Sequence, residues 1–594
     1  MASPQNRYRP GMERSNSLLW VLLLGFCVIF LRLVYIQIVR HEYFMDDIAP
    51  MLDSRSAAVI PYPGSILARN GEPLAESVLL SSVIADPARM LENHESFEGA
   101  AEQLAPLVGQ QAGQLLDDLR RRSESNYLEI GRYAKRDTAR KIKELRIHGI
   151  ALLPEWKREY PQGTMAAHIL GGRDRFHQPL SGLELQYRLL LDGQAGGNSQ
   201  NSDPLGLSAG GSRMDTGAVP GKDLVLTIDA ELQRQVENEV DRMYNRESPK
   251  WATCVVIDPR TGAILASAAR PGYDPSAYVS GKPAPGCKWS PVPASATRNI
   301  PVTEATEPGS TFKILLAAAA LDKGVVTPNS TFNCPGRITV GGPPAITCWG
   351  KYAQQGHGTL TIGGMLAQSC NVCAAQVAVR LGTENYYAFL RKCGIGIDPE
   401  AGFPAETVGL IRPPSLTRPR DLATMGFGQN VSCSALQLTS IVAGIVNGGI
   451  MKHPHIVDRV LTKDGSVFRQ VQVSERRICS AQTSTLIRQM MQYTVEKGTG
   501  KPAAMPDFKV GAKTGTAQQW DFARGRHYSD RYMVSFLEIA PVDAPRYVIY
   551  AACNEPKVGL HGSDVCGPVC KRVAEYALRH LDRALPAPVA ATGD

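Results

Sequence analysis

Ser310 and Lys313 have the residue types and the spacing that nucleophilic acyl transfer requires. They lie three positions apart, just before the apolar run 314–321, so on a helix both side chains share one face. A serine hydroxyl is a poor nucleophile at neutral pH and needs an adjacent base. A lysine can be that base where burial or a nearby positive charge lowers its pKa. The pair alone has low specificity, because a helix-capping serine followed by a solvated lysine gives the same pattern.

Two further polar segments follow in the sequence and make a chance pattern much less credible. In the first, Ser369 and Asn371 can relay a proton and bind a substrate amide. The second segment precedes Gln518 and is predicted to be an edge strand, which can pair with an extended peptide while its lysine and threonines bind a carboxylate. Its residues are Lys513, Thr514, Gly515 and Thr516.

The composition of the whole chain is that of a folded protein with several domains. Hydrophobic residues make up 43% and charged residues 20% of the 594 residues, which excludes disorder throughout. At about 150 residues per domain, this length suggests about three or four domains. The formal net charge of +8 is small for this length and gives no indication of nucleic-acid binding.

An apolar run at the N-terminus predicts a membrane anchor. A helix over residues 18–39 would be about 33 Å long, which is enough to cross a bilayer. Arg7, Arg9 and Arg14 precede the run and acidic residues follow it, so the positive-inside rule places residues 1–17 in the cytoplasm. We therefore expect a single-pass protein of the inner (plasma) membrane whose bulk lies outside the cytoplasm, in the periplasm or another extracytoplasmic space.

The exported part is predicted to have an α+β fold divided near residue 220. A stretch rich in Gly, Ser and Asn ends there and indicates an exposed linker. After it, Asp229 is a candidate helix N-cap, and residues 254–268 predict a hairpin. The predicted domains are a membrane-proximal domain over 40–220, a catalytic domain over 221–582 and a disordered tail over 583–594.

The three polar segments match a known motif set, and further segments extend the match. Ser-x-x-Lys, Ser-x-Asn and Lys-Thr-Gly together are typical of penicillin-binding proteins and serine β-lactamases. With these segments the chain resembles the class B penicillin-binding proteins, which are peptidoglycan D,D-transpeptidases. The additional matching segments are residues 64–75, 158–163, 182–184, 226–229, 307–313, 426–429, 447–449 and 497–500.

The resemblance implies a transpeptidase domain with an antiparallel sheet flanked by helices, preceded by a pedestal domain of the dimerisation type. It implies that Ser310 forms the acyl-enzyme, that Lys313 takes its proton and that Ser369 passes a proton to the leaving amine. Asn371 would hold the peptide amide. The terminal carboxylate would be bound by the strand segment Lys513, Thr514, Gly515 and Thr516. No cofactor and no metal ion are expected.

Among the subtypes, the chain most resembles the septal, cell-division enzyme. The resemblance is carried by residues 77–87 and 528–541 and by the lack of appended C-terminal domains. The expected partners are stem peptides of lipid II-derived strands, β-lactams as inhibitors, a polytopic membrane glycosyltransferase and other division proteins. Nucleic acid is not an expected partner. The alternatives are an elongation-type class B transpeptidase, a non-catalytic division scaffold, and hydrolysis as a D,D-carboxypeptidase or β-lactamase.

Cysteine and histidine residues offer competing interpretations that the sequence does not favour. Cys370 and Cys373 form a Cys-x-x-Cys, but no second such pair completes a metal site, so incidental buried cysteines are expected. His357 lies between glycines, which is typical of a solvated loop histidine. Disulfide pairing, for example of Cys334 with Cys348, is left open by the sequence.

Overall fold

A computed structural model of the chain describes residues 61–194, 197–198, 215–216, 218–280, 294–521 and 526–581, with five residues between 26 and 35. The predicted cytoplasmic tail 1–17, most of the predicted anchor 18–39 and the predicted tail 583–594 lie outside the described residues. Within those ranges, no helix combines the length and the apolarity needed to cross a membrane.

The chain divides into two compact units. The described core of the smaller unit is Val78–Lys157. The larger unit contains Tyr62–Ser77, Arg158–Gly193 and the chain from Pro220 onward. The first two of these segments fall within the range 40–220 predicted for the pedestal, yet by their contacts they belong to the larger unit. The bounds 40–220 and 221–582 stay predictions.

The smaller unit packs helices around strands. Its helix Phe97–Val108 begins where the Ser96 hydroxyl accepts from the backbone N–H of Gly99 and ends at Gly109, whose φ of 73° favours glycine. Leu104 is fully buried in its core. The helices are Pro87–Glu92, Phe97–Val108, Ala112–Arg121 and Arg136–Glu144. The strands are Leu128–Ala134, Ile150–Glu159, Gly197–Asn198, Asp215–Thr216 and the C-terminal part of Pro73–Ala85.

A five-stranded antiparallel sheet organises the larger unit. Its strand order is Gly511–Asp521, Arg526–Ala540, Tyr547–Asn554, Trp251–Ile257 and Ile264–Arg270. The segment that contains Lys513 is therefore an edge strand, as the sequence predicts. The last two strands form the predicted hairpin, so the predicted antiparallel sheet is confirmed.

Both faces of this sheet are covered, because alternate residues of a strand point to opposite sides. Val255 and Ile257 belong to one core, together with the helix Lys313–Asp322. Cys254 and Val256 belong to the other core, together with helices from both ends of the larger unit. One of these helices, Ala230–Glu247, begins where the Asp229 carboxylate accepts from the N–H of Leu232, as predicted.

The helix Lys313–Asp322 is apolar on every side and lies inside the larger unit. Its residues from Lys313 to Leu321 are all buried. A helix without a polar face is stable only where other elements surround it. The surrounding helices include Asn371–Leu381, Ala435–Val446 and Ala481–Lys497. Lys313 is thus placed at the buried N-terminal end of the central helix.

The remaining elements of the larger unit complete a second sheet, small hairpins and short helices. The second sheet runs in the order Val467–Gln470, Val457–Leu461, Asp223–Leu226, Ile66–Leu67 and the start of Pro73–Ala85. The other strands are Thr331–Cys334, Arg337–Ile338, Ile346–Thr347, Gly358–Thr361, Leu410–Ile411, Val431–Ser432, Ile450–Lys452 and Glu475–Arg477. The other helices are Ala167–Leu170, Gly182–Gln186, Arg188–Leu191, Ser276–Ser280, Ile300–Thr303, Tyr352–Gln355, Ile362–Ala367, Thr383–Cys393, Pro419–Met425, Gly562–Val565 and Gly567–Tyr576.

A buried carboxylate joins two segments of the larger unit. Glu184 is fully buried and accepts from Arg158 Nε and Arg173 Nε, each at 2.6 Å. Burial alone would raise the pKa of Glu184, but the two guanidinium groups bring it below its ordinary value. Arg158 also donates to the Gly64 carbonyl and the Ser77 hydroxyl. Glu184 therefore compensates the charge of the two guanidinium groups, and Arg158 connects the segment 158–193 to the segment 62–77.

We expect Glu184→Gln to lower the free energy of unfolding of the larger unit by about 3–5 kcal/mol, because the buried Arg158 loses its counter-charge and Arg173 is left with Asp192 alone as its acidic partner. Glu496→Gln is the matched control, since Glu496 is exposed on the helix Ala481–Lys497 and should change stability by less than about 0.5 kcal/mol. The measurement is denaturant unfolding of both variants. Equal stabilities would contradict a structural role for the network.

Candidate active site

Ser310 lies in a turn that is pressed against the edge strand. The turn Gly309–Phe312 is a 3₁₀ segment, and the helix follows at Lys313, three residues later than Ser310. Gly309 has a φ of 57°, and a Cβ there would lie 3.0 Å from the Thr516 carbonyl oxygen. Glycine is therefore required for the close approach that brings the nucleophile to the strand.

Lys313 connects the nucleophile to the second motif. Its Nζ lies 3.0 Å from Ser310 Oγ, so the predicted contact of these two side chains is present. The same amine donates to the Ser369 carbonyl oxygen at 2.7 Å and to Asn371 Oδ1 at 2.8 Å. Lys313 is fully buried, so its amine lies among polar groups out of contact with bulk solvent.

Ser369 is held in an unusual backbone conformation between two lysines. Its φ of 52° is in the left-handed region, which is costly for a residue other than glycine and is found most often at functional sites. Its Oγ lies 3.3 Å from Lys313 Nζ and 2.9 Å from Lys513 Nζ. One hydroxyl therefore bridges the amines of the first and third motifs.

The amide of Asn371 is held at both ends. Its Oδ1 accepts from Lys313, and its Nδ2 donates to the Thr347 carbonyl oxygen at 3.2 Å. Asn371 borders the open cleft in front of Ser310. A substrate amide would share or replace one of these two bonds, so the predicted role of Asn371 in holding the peptide stays a prediction.

The edge strand contributes its residues in different ways. Thr514 shares a hydrogen bond with the Thr499 hydroxyl at 3.0 Å, while Thr516 is exposed and donates to the Gly515 carbonyl oxygen. Gly515 has no room for a side chain, because a Cβ would lie 2.2 Å from Ser535 Oγ. Thr514 and Thr516 line the cleft, whereas Gly515 allows the strand to pack closely against its neighbour.

Burial shifts the protonation of both lysines. Loss of hydration lowers the pKa of Lys313 to about 8. Burial, and then repulsion from Lys313, lower the pKa of Lys513 well below its ordinary value. A neutral Lys313 has a lone pair that can accept the proton of Ser310. A carboxylate arriving at Lys513 would supply a counter-charge and so favour the protonated form of this amine.

The cleft in front of these groups has a volume of about 530 Å³. Several residues that line it were not predicted as site residues: Trp349, Phe427, Gln429, Thr499, Tyr532 and His561. Gln429 and Thr499 lie in the matching segments 426–429 and 497–500, so the resemblance contained a signal for both. Phe427 lies in the first of these segments too, and Tyr532 lies in the stretch 528–541, which resembles the septal enzyme. The sequence pattern offers no such signal for Trp349 and His561.

The expectation for His357 changes, and the pairing of Cys334 with Cys348, which the sequence left open, is not formed. His357 was expected to be solvated, but it is half-buried, its ring stacks on Tyr352 at 3.9 Å, and its Nδ1 lies 3.6 Å from Cys334 Sγ. The expectation was wrong because the glycines on either side fold the loop back onto a strand. Cys334 and Cys348 lie close together, but among the described cysteines all thiols are free.

These side chains define a serine acyltransferase: a nucleophile beside a buried lysine, a second serine for proton transfer, and an edge strand bordering an open cleft. The model of the penicillin-binding protein transpeptidase domain matches residues 252–575, and that of the penicillin-binding protein dimerisation domain matches residues 59–175. The chain belongs to the penicillin-binding protein transpeptidase family, and within it to class B.

Individual relatives agree with this assignment. The chain is 31% identical to stage V sporulation protein D of Bacillus subtilis, over 95% of this chain and 85% of that protein. It is 30% identical to the probable peptidoglycan D,D-transpeptidase PenA of Neisseria meningitidis, over 96% and 93%. Penicillin-binding protein 3 of Mycobacterium tuberculosis, solved with aztreonam, superposes with a TM-score of 0.67 at 26% identity, over 90% and 98%.

We expect acylation by penicillin to depend on pH through Lys313. Because the neutral amine is the reactive form and its pKa is about 8, the second-order rate constant should fall about tenfold per pH unit below that value and level off above it. The measurement is the rate of penicillin labelling between about pH 6 and 9, with circular dichroism at each pH as a control for unfolding. A flat profile would contradict Lys313 as the base.

Lys513→Ala should slow acylation about tenfold to a hundredfold, since a hydrogen bond to a charged group contributes about 1.5–3 kcal/mol. Lys509→Ala is the matched control, because Lys509 is exposed just before the same strand. Labelling rates of both variants are compared at one pH. A Lys513→Ala chain that reacts as fast as the control would show that the carboxylate binds elsewhere.

Proposed function

We propose that this chain is the septal peptidoglycan D,D-transpeptidase of its cell and cross-links stem peptides through an acyl-enzyme on Ser310. The observation that carries the proposal is the continuous hydrogen-bonded set from Ser310 through Lys313 and Ser369 to Lys513, next to the edge strand. Transpeptidase activity follows from the family, while the septal role, the membrane anchor and the partners are proposals.

The first half of the reaction consumes the donor peptide. Ser310 Oγ attacks the carbonyl carbon of the penultimate D-Ala and passes its proton to neutral Lys313, 3.0 Å away. Collapse of the tetrahedral intermediate breaks the bond to the terminal D-Ala, whose nitrogen takes a proton through Ser369. Because Ser369 Oγ contacts both lysines, it can accept a replacement proton as it donates one.

The second half transfers the acyl group to a second strand. The amine of an acceptor stem peptide attacks the Ser310 ester, gives up its proton along the same path in reverse, and releases Ser310. Water in place of the amine would give hydrolysis, the activity of a carboxypeptidase. The cleft of about 530 Å³ in front of Ser310 is large enough to hold two peptide termini, as transfer requires.

Donor recognition is assigned to the edge strand. An extended D-Ala-D-Ala terminus adds to Gly511–Asp521 as a further strand, and its carboxylate lies against Lys513, Thr514 and Thr516. β-Lactams carry a carboxylate near a strained amide, and they occupy the same cleft and acylate the same serine. Aztreonam is the ligand named for the Mycobacterium tuberculosis neighbour.

We propose a single-pass anchor at residues 18–39, residues 1–17 in the cytoplasm and the two described units in the periplasm. The apolar run and the preceding arginines support this topology. Lipid II-derived strands are the substrate, and a polytopic membrane glycosyltransferase would polymerise their glycan. Two observations support the septal role. The stretches 77–87 and 528–541 resemble septal enzymes, and the chain is 27% identical, over 96% of its length, to the peptidoglycan D,D-transpeptidase FtsI of Escherichia coli.

Replacement of Ser310 by alanine in a depletion strain separates the septal function from its alternatives. The Ser310→Ala chain should reach the membrane but fail to support division, so cells should filament and newly made septal wall should be less cross-linked. Ser466→Ala, in an exposed turn of the larger unit, is the matched control and should restore normal growth. Muropeptide analysis and microscopy are the readouts. Rounded cells would indicate an elongation enzyme, and normal division on Ser310→Ala would indicate a scaffold.

A further inference from the structure

Four side chains that bind transition metals converge next to the second catalytic motif. Each comes from a different segment: the end of the strand Thr331–Cys334, the residue after Ile346–Thr347, the residue before Gly358–Thr361 and the N-cap of the helix Asn371–Leu381. We call them the cysteine cluster: Cys334, Cys348, His357 and Cys370. The cysteine cluster is not apparent from the sequence, because its four residues are unevenly spaced and only Cys370 belongs to the Cys-x-x-Cys motif.

The distances within the cysteine cluster are close to those of a tetrahedral site. Cys348 Sγ lies 3.4 Å from Cys334 Sγ and 3.5 Å from Cys370 Sγ, and His357 Nδ1 lies 3.6 Å from Cys334 Sγ. All four donor atoms lie within 4.8 Å of one another. Tetrahedral Zn²⁺ with Zn–S of about 2.3 Å and Zn–N of about 2.0–2.1 Å requires S···S edges of about 3.8 Å and S···N edges of about 3.6 Å.

The backbone holds the donors in place. The Cys348 N–H donates to the Gly336 carbonyl at 2.9 Å, and the His357 N–H donates to the Cys334 carbonyl at 3.1 Å. Gly356 has a φ of 70°, and a Cβ there would lie 2.2 Å from the Cys334 carbonyl oxygen. The imidazole is oriented by its stacking on Tyr352. Small shifts of these side chains suffice to reach ligand distances.

We propose that the cysteine cluster is a structural zinc site with three thiolate ligands and one imidazole ligand. All three cysteines are at most 5% exposed, and four protein ligands leave no open position for a substrate or water. Thiolates with an imidazole in tetrahedral geometry select zinc over harder cations. A disulfide would engage only two of the three sulfur atoms and would leave His357 Nδ1 without a reason to face Cys334.

The site has a direct bearing on catalysis because Cys370 lies between Ser369 and Asn371. A zinc ion bound to Cys370 would tie the second motif to the hairpins that carry Cys334 and Cys348. Asn371 already donates to the carbonyl of Thr347, the residue before Cys348. The ion would therefore act as a positioning device that holds Ser369 in its left-handed conformation, without touching substrate.

The direct test is the metal content of the full-length chain, purified in detergent without a polyhistidine tag. After zinc loading and dialysis, mass spectrometry of the metal should find about one zinc per chain. Replacement by Co²⁺ should give the thiolate-to-cobalt charge transfer and the strong visible bands of a tetrahedral site. A wild-type chain that retains no zinc, or a disulfide among the three cysteines in that chain, would overturn the proposal.

Variants locate the ion. His357→Ala should lose the zinc, and His357→Cys should keep it with a shifted cobalt spectrum, because a fourth thiolate replaces the imidazole. Cys254→Ala, a buried cysteine of the strand Trp251–Ile257 outside the cluster, is the control and should keep the zinc. Equal zinc in the wild type and His357→Ala would place the ion elsewhere and overturn the proposal.

Metal content is measured without any enzymatic step, so this test of the zinc site does not depend on the proposed transpeptidase function. Only the positioning role rests on that function. It predicts that penicillin labels the zinc-free His357→Ala chain more slowly than the zinc-bound His357→Cys chain. Equal labelling rates would overturn the positioning role and leave the metal site standing.

Discussion

Two lysine amines are buried around one serine hydroxyl, and the rest of the active site depends on this arrangement. Lys313 and Lys513 are both fully buried, and each lies within 3.3 Å of Ser369 Oγ. An isolated ammonium in such surroundings is costly, so burial lowers the pKa of both amines. The fold therefore converts two ordinarily charged side chains into a base and an anion receptor. The carboxylate of the substrate would supply a counter-charge that favours the protonated form of Lys513.

The surrounding elements can be understood as the means of keeping this arrangement rigid. The central apolar helix positions Lys313, because other elements pack against this helix on every side. The edge strand fixes Lys513, and Gly309 and Gly515 let the strand, the nucleophile turn and the neighbouring strand approach within van der Waals contact. Backbone strain at Ser369 is the local cost of presenting both its carbonyl and its hydroxyl to the amines.

Local patterns predicted much of this architecture. The Asp229 cap, the hairpin of Trp251–Ile257 with Ile264–Arg270, and the edge strand at Lys513 each depend on a few neighbouring residues, and all three are present. The contact of Ser310 with Lys313 also follows from local spacing. Placing three motifs in one site required the resemblance to a family, because no local rule brings Lys513 to Ser369.

Other features depend on packing between distant segments and had no local signal. Segments 62–77 and 158–193 join the larger unit, partly through the network around the buried Glu184. His357 and the three cysteines meet only because the loops that carry them fold over the helix Asn371–Leu381. A pattern of neighbouring residues could therefore be recognised in the sequence, whereas a cluster assembled from four separate segments could not.

Mapping the site of acylation tests the central claim most directly. The full-length chain is incubated with penicillin, digested, and the modified peptide is sequenced by mass spectrometry. If the buried lysines activate Ser310, one penicilloyl group per chain should be found, and fragmentation should place it on Ser310. An adduct on Ser369, or no adduct at saturating penicillin in a folded chain, would contradict the claim.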